Sequence, residues 1–329
     1  MTAFKITFII PHRATEAISA TVKCIKDACR ENNLQYQIIT ATGNNPTYQR
    51  NRCITKARYS YIYFIDNDSK ISADALKRAA ALIQEQPDIA VLGGPALTPD
   101  SDTCLQQNFK AVFSSPWAVG SIASRYAARG RFRSTDDSEL ILCNLLVKKE
   151  LFNKVGYFNE KLYPNEENEF ISRVKQAGFR VCYDPGFYIK RSQRASFFKF
   201  IKQLFTYGRG RGEQTRLMPA SFNIMLLLPL FFVLYLLTLP FFLWIVKYTP
   251  YSYSGQFFLL IPFGLYIFFD LAAFFSYILT RRQFPVFFPL FFCLNHIIYI
   301  AGFLRGLLRK TLQSELTKPV CNIKIIKNR

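Results

Sequence analysis

The chain has 329 residues, room for one generous domain and an appendage, with a net charge of +20 and 33 phenylalanines. A charge of that sign suits nucleic acid or an anionic surface. Nucleic acid is set aside, because the basic residues crowd beside hydrophobic segments. Eight cysteines form no C-x-x-C pair, which excludes a zinc ribbon and a disulfide framework and fits reduced thiols.

Lys5 to Ile10 reads as a buried strand running into Pro11. Its apolar run is too short for a signal peptide, so the first ~200 residues are expected in the cytosol. Thr15 to Asn32 carries Ile18, Val22, Ile25 and Cys29 at helical spacing, with Thr15 as N-cap. A strand near Tyr36 to Ala41 follows, then the loop Gly43-Asn44-Asn45-Pro46 and a helix over Thr47 to Arg58. The apolar run Tyr61 to Ile65 stops at Asp66-Asn67-Asp68. Ser72 and Asp74 open an alanine-rich helix that ends before Pro87, and a strand from Ile89 to Leu92 meets Gly93-Gly94-Pro95. Alternating strands and helices of these lengths predict an α/β sheet with mostly parallel strands. Ligands bind beyond the carboxyl ends of such strands, where Pro11, Gly43, Asp66 and Gly93 all fall.

Two carboxylates two residues apart at a strand end offer hard oxygen ligands, suited to a divalent cation carrying a diphosphate. Asp and Asn also end strands simply as turn formers. A second acidic group, Glu166, Glu167 and Glu169, stands downstream. On a helix Glu166 and Glu169 share a face and Glu167 points elsewhere. Acids there also suit a helix N-terminus, with Asn165 placed to cap it.

From Lys190 to Arg216 there are eight Lys or Arg and one acid, Glu213, a composition attracted to anionic head groups. Beyond it, Phe222 to Val246, Phe257 to Thr280 and Phe284 to Leu304 contain a single carboxylate, Asp270. Each is long enough to span a membrane. The division expected is therefore a domain over 1–216, with its basic interfacial segment from about 190, a membrane region over 217–310 and a basic tail over 311–329. Three crossings would put the tail outside, yet Arg305, Arg309, Lys310, Lys318, Lys324, Lys327 and Arg329 favour the inside. One segment lying flat would reconcile them, and Pro229 and Pro240 make the first a candidate.

The opening K-I-T-F-I-I-P-H-R, the stretch G-N-N-P-T-Y-Q-R-N-R-C and Y-F-I-D-N-D resemble the nucleotide-binding half of GT-A-fold, family-2 glycosyltransferases. The later G-Y-F-N-E-K-L-Y-P-N-E-E-N-E-F is similar to that family's acceptor half, in which a G-x-F-(D/N)-E turn precedes E-D-x-E-(L/F). The resemblance covers about residues 4 to 216. With the hydrophobic C-terminal segments, it is closest to membrane-bound enzymes that build polysaccharides or lipid-linked glycans.

The resemblance implies roles for individual residues. Asp68 would contact a Mg2+ or Mn2+ ion, with Asp66 towards the ribose or the metal shell. Glu167, at the second position of the acidic pair, would be the catalytic base, with Glu166 and Glu169 as neighbouring rivals. Pro11, Arg13, Arg50 and Asn144 would serve the nucleotide-sugar, and Gly94, Glu166, Gln203 and Arg209 the acceptor side. Two departures stand out: Ala14 where the first turn usually carries Asn, and no Asp in Thr40-Ala41-Thr42-Gly43 at the end of the second strand. The processive signature Q-x-x-R-W is not met, since Gln203 is followed by Tyr207-Gly208-Arg209.

The expected protein is thus an inverting, metal-dependent glycosyltransferase of the cytoplasmic membrane, multi-pass, with a cytosolic GT-A domain. It would move one sugar from a nucleotide-sugar donor to a polyprenyl-linked glycan acceptor in surface polysaccharide assembly. Its rivals are a polyprenyl-phosphate glycosyltransferase, a processive synthase, and a membrane scaffold with a decayed transferase domain.

Overall fold

The computed structural model describes residues 4–219, 227–281, 284–309, 311–312, 314 and 318–326. In chain order, β1 (Lys5–His12), α1 (Ser19–Glu31), β2 (Gln35–Gly43), α2 (Pro46–Ile54) and β3 (Tyr61–Ile65) form the first half of a sheet layer. Helix α1 buries Thr21, Ile25, Ala28 and Cys29, one stripe at helical spacing. It begins later than Thr15, because the Arg13 N–H donates to Glu16 Oε2 at 2.9 Å and holds residues 13–16 in a turn. Helix α2 starts one residue before the expected Thr47 and ends at Ile54, short of the expected Arg58. Asn45 Oδ1 accepts from the Tyr48 N–H, and Pro46 fills a first-turn position whose N–H would have had no helical partner.

Next come β4 (Ser69–Ile71), α3 (Ala73–Glu85), β5 (Ile89–Gly93), β6 (Ala96–Leu97), α4 (Cys104–Phe113), α5 (Pro116–Val119), β7 (Arg133–Ser134) and β8 (Asn144–Lys148). Ser72 caps α3 by accepting from the Ala75 N–H, as its position before Asp74 predicts. Then follow α6 (Glu150–Lys154), α7 (Glu166–Gln176), β9 (Arg180–Tyr183), β10 (Ile189–Arg191), α8 (Phe197–Leu217), α9 (Leu228–Lys247), α10 (Ser252–Arg281), α11 (Phe288–Leu308) and β11 (Cys321–Ile326).

The chain divides into two compact units that do not follow sequence order. One holds residues up to Thr103, Ser121–Gln193 and Lys310 onward; the other holds Cys104–Gly120 and Arg194–Arg309. In the first unit, an eight-stranded sheet runs β11-β2-β1-β3-β8-β5-β9-β7. The mostly parallel sheet expected from the sequence is in fact mixed. Strands β2, β1 and β3 are parallel, as are β5 and β9, but β8 inserts antiparallel between β3 and β5, and β7 and β11 pair antiparallel at the two edges. A second, three-stranded sheet, β4-β10-β6, stands beside the end of β3. The core between sheet and helices is aliphatic and aromatic, with Ile9, Ile39, Phe64, Val147, Phe152 and Phe170 all buried.

In the second unit, α8 and α11 pack with their backbones in contact. A Cβ added at Gly208 would come 1.9 Å from Tyr299 O, and one at Gly306 would come 2.1 Å from Arg209 O. Phe109 of α4 stacks on Phe200 of α8 at 4.0 Å and meets Phe291 of α11 at 5.0 Å. Among the described residues, α9, α10 and α11 are long and apolar enough to cross a membrane. The sequence-predicted start of the first span, 222–226, lies outside the described residues.

Candidate active site

The carboxyl ends of β2, β1 and β3 lie along one sheet edge, since their parallel register pairs His12 with Thr42 and Ile9 with Phe64. Gln49 of α2 ties that edge together, donating its amide to His12 O at 3.0 Å and to Ala41 O. His12 adds a contact of 3.0 Å from Nδ1 to Arg13 O and one of 3.1 Å from Nε2 to Thr42 Oγ1. Pro11 is buried within β1, opposite Ala41, while Arg13 is exposed just beyond the strand.

Arg50 joins the two acidic groups that the sequence leaves far apart. From the middle of α2, its Nη2 donates to Asp66 Oδ1 and its Nη1 to Glu166 Oε1, each at 2.9 Å. Its side chain is 6% exposed and that of Glu166 is 2% exposed, so this is a buried, charge-assisted pair. Burial works against the Arg50 charge, but Asp66 and Glu166 outweigh it and raise its pKa. The residue expected at the nucleotide is thus also the clamp that brings β3 to the start of α7.

A second guanidinium reaches the aspartates from the small sheet. The antiparallel register of β10 on β4 sets Arg191 opposite Ser69, the residue after Asp68. Arg191 Nη2 lies 3.2 Å from Asp66 Oδ2, and its Nε lies 2.9 Å from Asp68 Oδ1. The turn is braced from α1, whose Thr21 hydroxyl is within bonding distance of Asn67 O (2.6 Å) and Ser69 O (3.0 Å). Sequence reading missed Arg191 as a site residue, because in one dimension it is one more basic residue in the run after Lys190.

The acids of α7 divide by partner. Glu166 is fixed by Arg50, and burial, then the charge of Glu167, push its carboxyl up to about 7, with Arg50 pulling the other way. Glu169 accepts from Arg173 Nε at 2.6 Å and Nη2 at 2.8 Å, while Arg173 also donates to Val155 O and to Tyr157 O, a structural pairing. Glu167 has the looser contact, 3.8 Å from Arg125 Nη1. Arg125 is held by Asp137 O, by Ser138 O at 2.9 Å and by Asn168 Oδ1 at 2.6 Å. The helix starts from Asn165 in the left-handed region (φ 95°), whose side chain accepts from Asn168 Nδ2 rather than capping a backbone N–H.

Two residues expected at ligands make close contacts within the scaffold. Asn144 is fully buried; its Oδ1 accepts from the Tyr63 hydroxyl at 2.5 Å, and its Nδ2 donates to Phe187 O at 2.7 Å and Pro95 O at 3.3 Å. Its amide is thus engaged by the scaffold at both ends. At Gly94, an added Cβ would sit 1.8 Å from Phe187 O and 2.6 Å from Asp184 O, so the close approach is by the chain's own backbone. Gln203 and Arg209 lie on α8, in the other unit, where Gln203 donates to the Tyr207 hydroxyl at 2.8 Å.

Asp66 and Asp68 are the hard oxygen donors a divalent cation needs, and the guanidinium of Arg191 stands between them as a built-in positive charge. The donor types therefore suit such an ion. Among the described residues, no group of three or more His, Cys, Asp or Glu is placed to hold a metal.

The model of glycosyl transferase family group 2 matches residues 61–302, from β3 through most of α11. A dolichyl N-acetyl-alpha-D-glucosaminyl phosphate 3-beta-D-2,3-diacetamido-2,3-dideoxy-beta-D-glucuronosyltransferase of Methanococcus voltae is 24% identical over 299 residues, which is 88% of this chain and 84% of that one. Among solved structures, the mannosyltransferase PcManGT from Pyrobaculum calidifontis, in complex with GDP-Man and Mn2+, superposes with a TM-score of 0.52 at 12% identity, covering 93% of this chain and 87% of that one. That likeness concerns the fold: a GT-A α/β layer followed by long apolar helices.

Proposed function

This chain belongs to glycosyl transferase family group 2, and from that premise we propose that it moves one sugar, with inversion, from a nucleotide-sugar to a polyprenyl-linked glycan at the cytoplasmic membrane. The observation that carries the reading is the Asp66–Arg50–Glu166 bridge, which sets an acidic strand end against an acidic helix start at the ligand edge of the sheet. The acceptor class is supported by the Methanococcus voltae relative, whose name carries a dolichyl-linked sugar phosphate. The three apolar helices support the membrane, and the basic α8 supports a cytosolic catalytic side.

In this reading Glu167 takes the proton of the acceptor hydroxyl while that oxygen attacks the anomeric carbon, and the bond from that carbon to the diphosphate oxygen breaks. Of the α7 acids it is the one without a close partner, while Glu166 and Glu169 are held by Arg50 and Arg173. Asp66 and Asp68 would hold a Mg2+ or Mn2+ ion, which supplies charge neutralisation of the leaving diphosphate when bound. Arg191, displaced from the aspartates, is then placed to offer its own charge to the same diphosphate. Arg13, exposed past β1, offers a further cation to the donor.

The test is nucleoside diphosphate release by the detergent-purified chain, with a panel of nucleotide-sugars, manganese or magnesium, and a lipid extract. Release with one donor, lost in Asp68→Ala and in Glu167→Gln, is the expected result. Release undiminished in Glu167→Gln would sink base-assisted transfer in favour of an acceptor already ionised, such as a polyprenyl phosphate.

A further inference from the structure

The C-terminal tail belongs to the catalytic sheet. Strand β11 pairs antiparallel with β2 from Cys321 opposite Gly43 to Ile326 opposite Ile38. The approach to it is fixed as well: Asn44 donates to Lys318 O at 3.1 Å and accepts from the Val320 N–H at 2.9 Å, and the Ser314 hydroxyl donates to Lys161 O at 2.8 Å. Gly43 leaves room for this, since a Cβ there would lie 2.1 Å from Val320 O. A tail hydrogen-bonded into that sheet is on the sheet's side of the membrane. Three helices capable of spanning lie between, and three crossings would deliver the tail to the opposite side.

We infer that only α9 and α10 cross, and that α11 lies in the membrane surface beside α8, a paired footing against the lipid head groups. Both ends of α11 are tied to segments that cannot traverse the bilayer. At its start, the Phe287 N–H donates to Asn108 Oδ1 at 2.8 Å, and further along Asn295 Nδ2 donates to Ala118 O at 3.2 Å. His296 Nε2 lies 3.1 Å from the same oxygen. Asn108 and Ala118 sit in Cys104–Gly120, an excursion whose flanking residues on both sides belong to the sheet unit. Asn108 is five residue steps along the chain from Thr103, a reach of at most ~18 Å when extended. The hydrocarbon core is ~30 Å thick.

Over its second half, α11 runs against α8, with Gly302 facing Phe205 O and Gly306 facing Arg209 O at 2.1 Å from an added Cβ. Helix α8 bears Lys199, Lys202, Arg209, Arg211, Glu213 and Arg216, and so does not span. The exposed residues of α11, Leu290, Ile297, Ala301, Arg305 and Leu308, form one stripe at helical spacing, mostly apolar, opposite the packed side. By contrast, α9 has no buried residue, and α10 has four along 30 residues. These two pack as a hairpin through Phe232 stacked on Tyr266 at 4.2 Å and the Tyr235 hydroxyl bonded to Leu259 O at 2.5 Å. This assigns the flat segment to the third helix, where the proline pattern had pointed to the first.

Four versions of the full chain, each with one epitope tag, decide it: at the N-terminus, between Tyr248 and Ser252, between Arg282 and Gln283, and after Arg329. Antibody access is read from each face of sealed membrane vesicles. The expected pattern is the tag after Tyr248 alone on the far side, and the other three together. A C-terminal tag opposite the N-terminal one would overturn the inference, and since those two tags sit at the chain ends they need no internal insertion. If the tag at 282–283 joins the far side, α10 is the flat helix. If it does so while the Tyr248 tag stays near, α9 is flat. Either pattern overturns the assignment to α11, and all four tags on one side would mean that nothing crosses.

Discussion

The two acidic groups of the site contrast in almost every physical respect. The aspartates stand at a strand end, Asp66 with 20% and Asp68 with 43% of its side chain exposed, and their partner Arg191 arrives from a separate three-stranded sheet. The glutamates open a helix, with Glu166 at 2% exposed and bound to a cation from the interior of α2. Partly wet ion pairs are weak and exchangeable, whereas a dry pair that loses one member is severely penalised. The difference teaches that the aspartate pairs are held in place less firmly than the buried Arg50–Glu166 pair.

The largest effect expected is on catalysis. Glu167→Gln keeps shape and polarity while removing the proton acceptor, so kcat should fall by about a hundred- to ten-thousand-fold with little change in donor KM. Single-turnover product formation measures it. A comparable loss in Glu169→Gln, with Glu167→Gln active, would reverse the division of the α7 acids by partner. Next comes stability. Arg50→Met leaves Asp66 and Glu166 facing each other without their common donor, a loss of about 3–5 kcal/mol by analogy with broken buried pairs. Thermal unfolding in detergent reads it, and a variant as stable as the parent would remove Arg50 from the role of clamp.

A smaller effect tests the exchangeable side. Arg191→Ala removes a guanidinium from Asp66 and Asp68, so a divalent cation should bind more tightly. A partly exposed pair contributes at most about 1 kcal/mol, or roughly fivefold in affinity. Manganese titration followed by electron paramagnetic resonance reads that shift without needing turnover. Weaker manganese binding in the variant would show that Arg191 supports the cation rather than holding its place.

Much of this arrangement was legible before any fold was known, and the reasons are local. The run Tyr61 to Ile65 stops at two aspartates because a buried strand must end in turn formers, and the loop through Pro46 was followed by a helix as expected, though its Asn45 cap came only with the structure. Arg50 was found by motif, though its bridging role required α7 to be brought opposite α2. What stayed hidden depends on pairing across long separations. Arg191 reaches Asp68 only through the register of β10 on β4, and nothing within a few residues of it signals that. The tail read as a charged extension because Lys318, Lys324, Lys327 and Arg329 stand out in it, whereas an edge strand has one face to water and tolerates a lysine such as Lys324. Asn144 misled for a related reason: a polar residue at a strand start resembles a ligand contact until the carbonyls of Pro95 and Phe187 are seen above it.

The mildest exchange, Glu166→Gln, sharpens the contrast through its pH dependence. The Glu166 carboxyl is raised from 4.5 to about 7, first by burial and then by the charge of Glu167, against the pull of Arg50. Between those two values the unfolded chain has released the proton that the folded chain still holds. The folded state therefore binds more protons there, and its stability falls as pH rises from about 4.5 to about 7, with the penalty complete above that range. Glutamine resembles the protonated acid, so the gap in stability between variant and parent should be constant below about pH 4.5. As pH rises through the window, the parent should lose stability that the variant keeps. Unfolding midpoints taken at half-unit pH steps measure the difference in slope. Parallel curves would mean that Glu166 is already ionised at low pH, held so by Arg50, and the buried acid would then be as permanently charged as the aspartates.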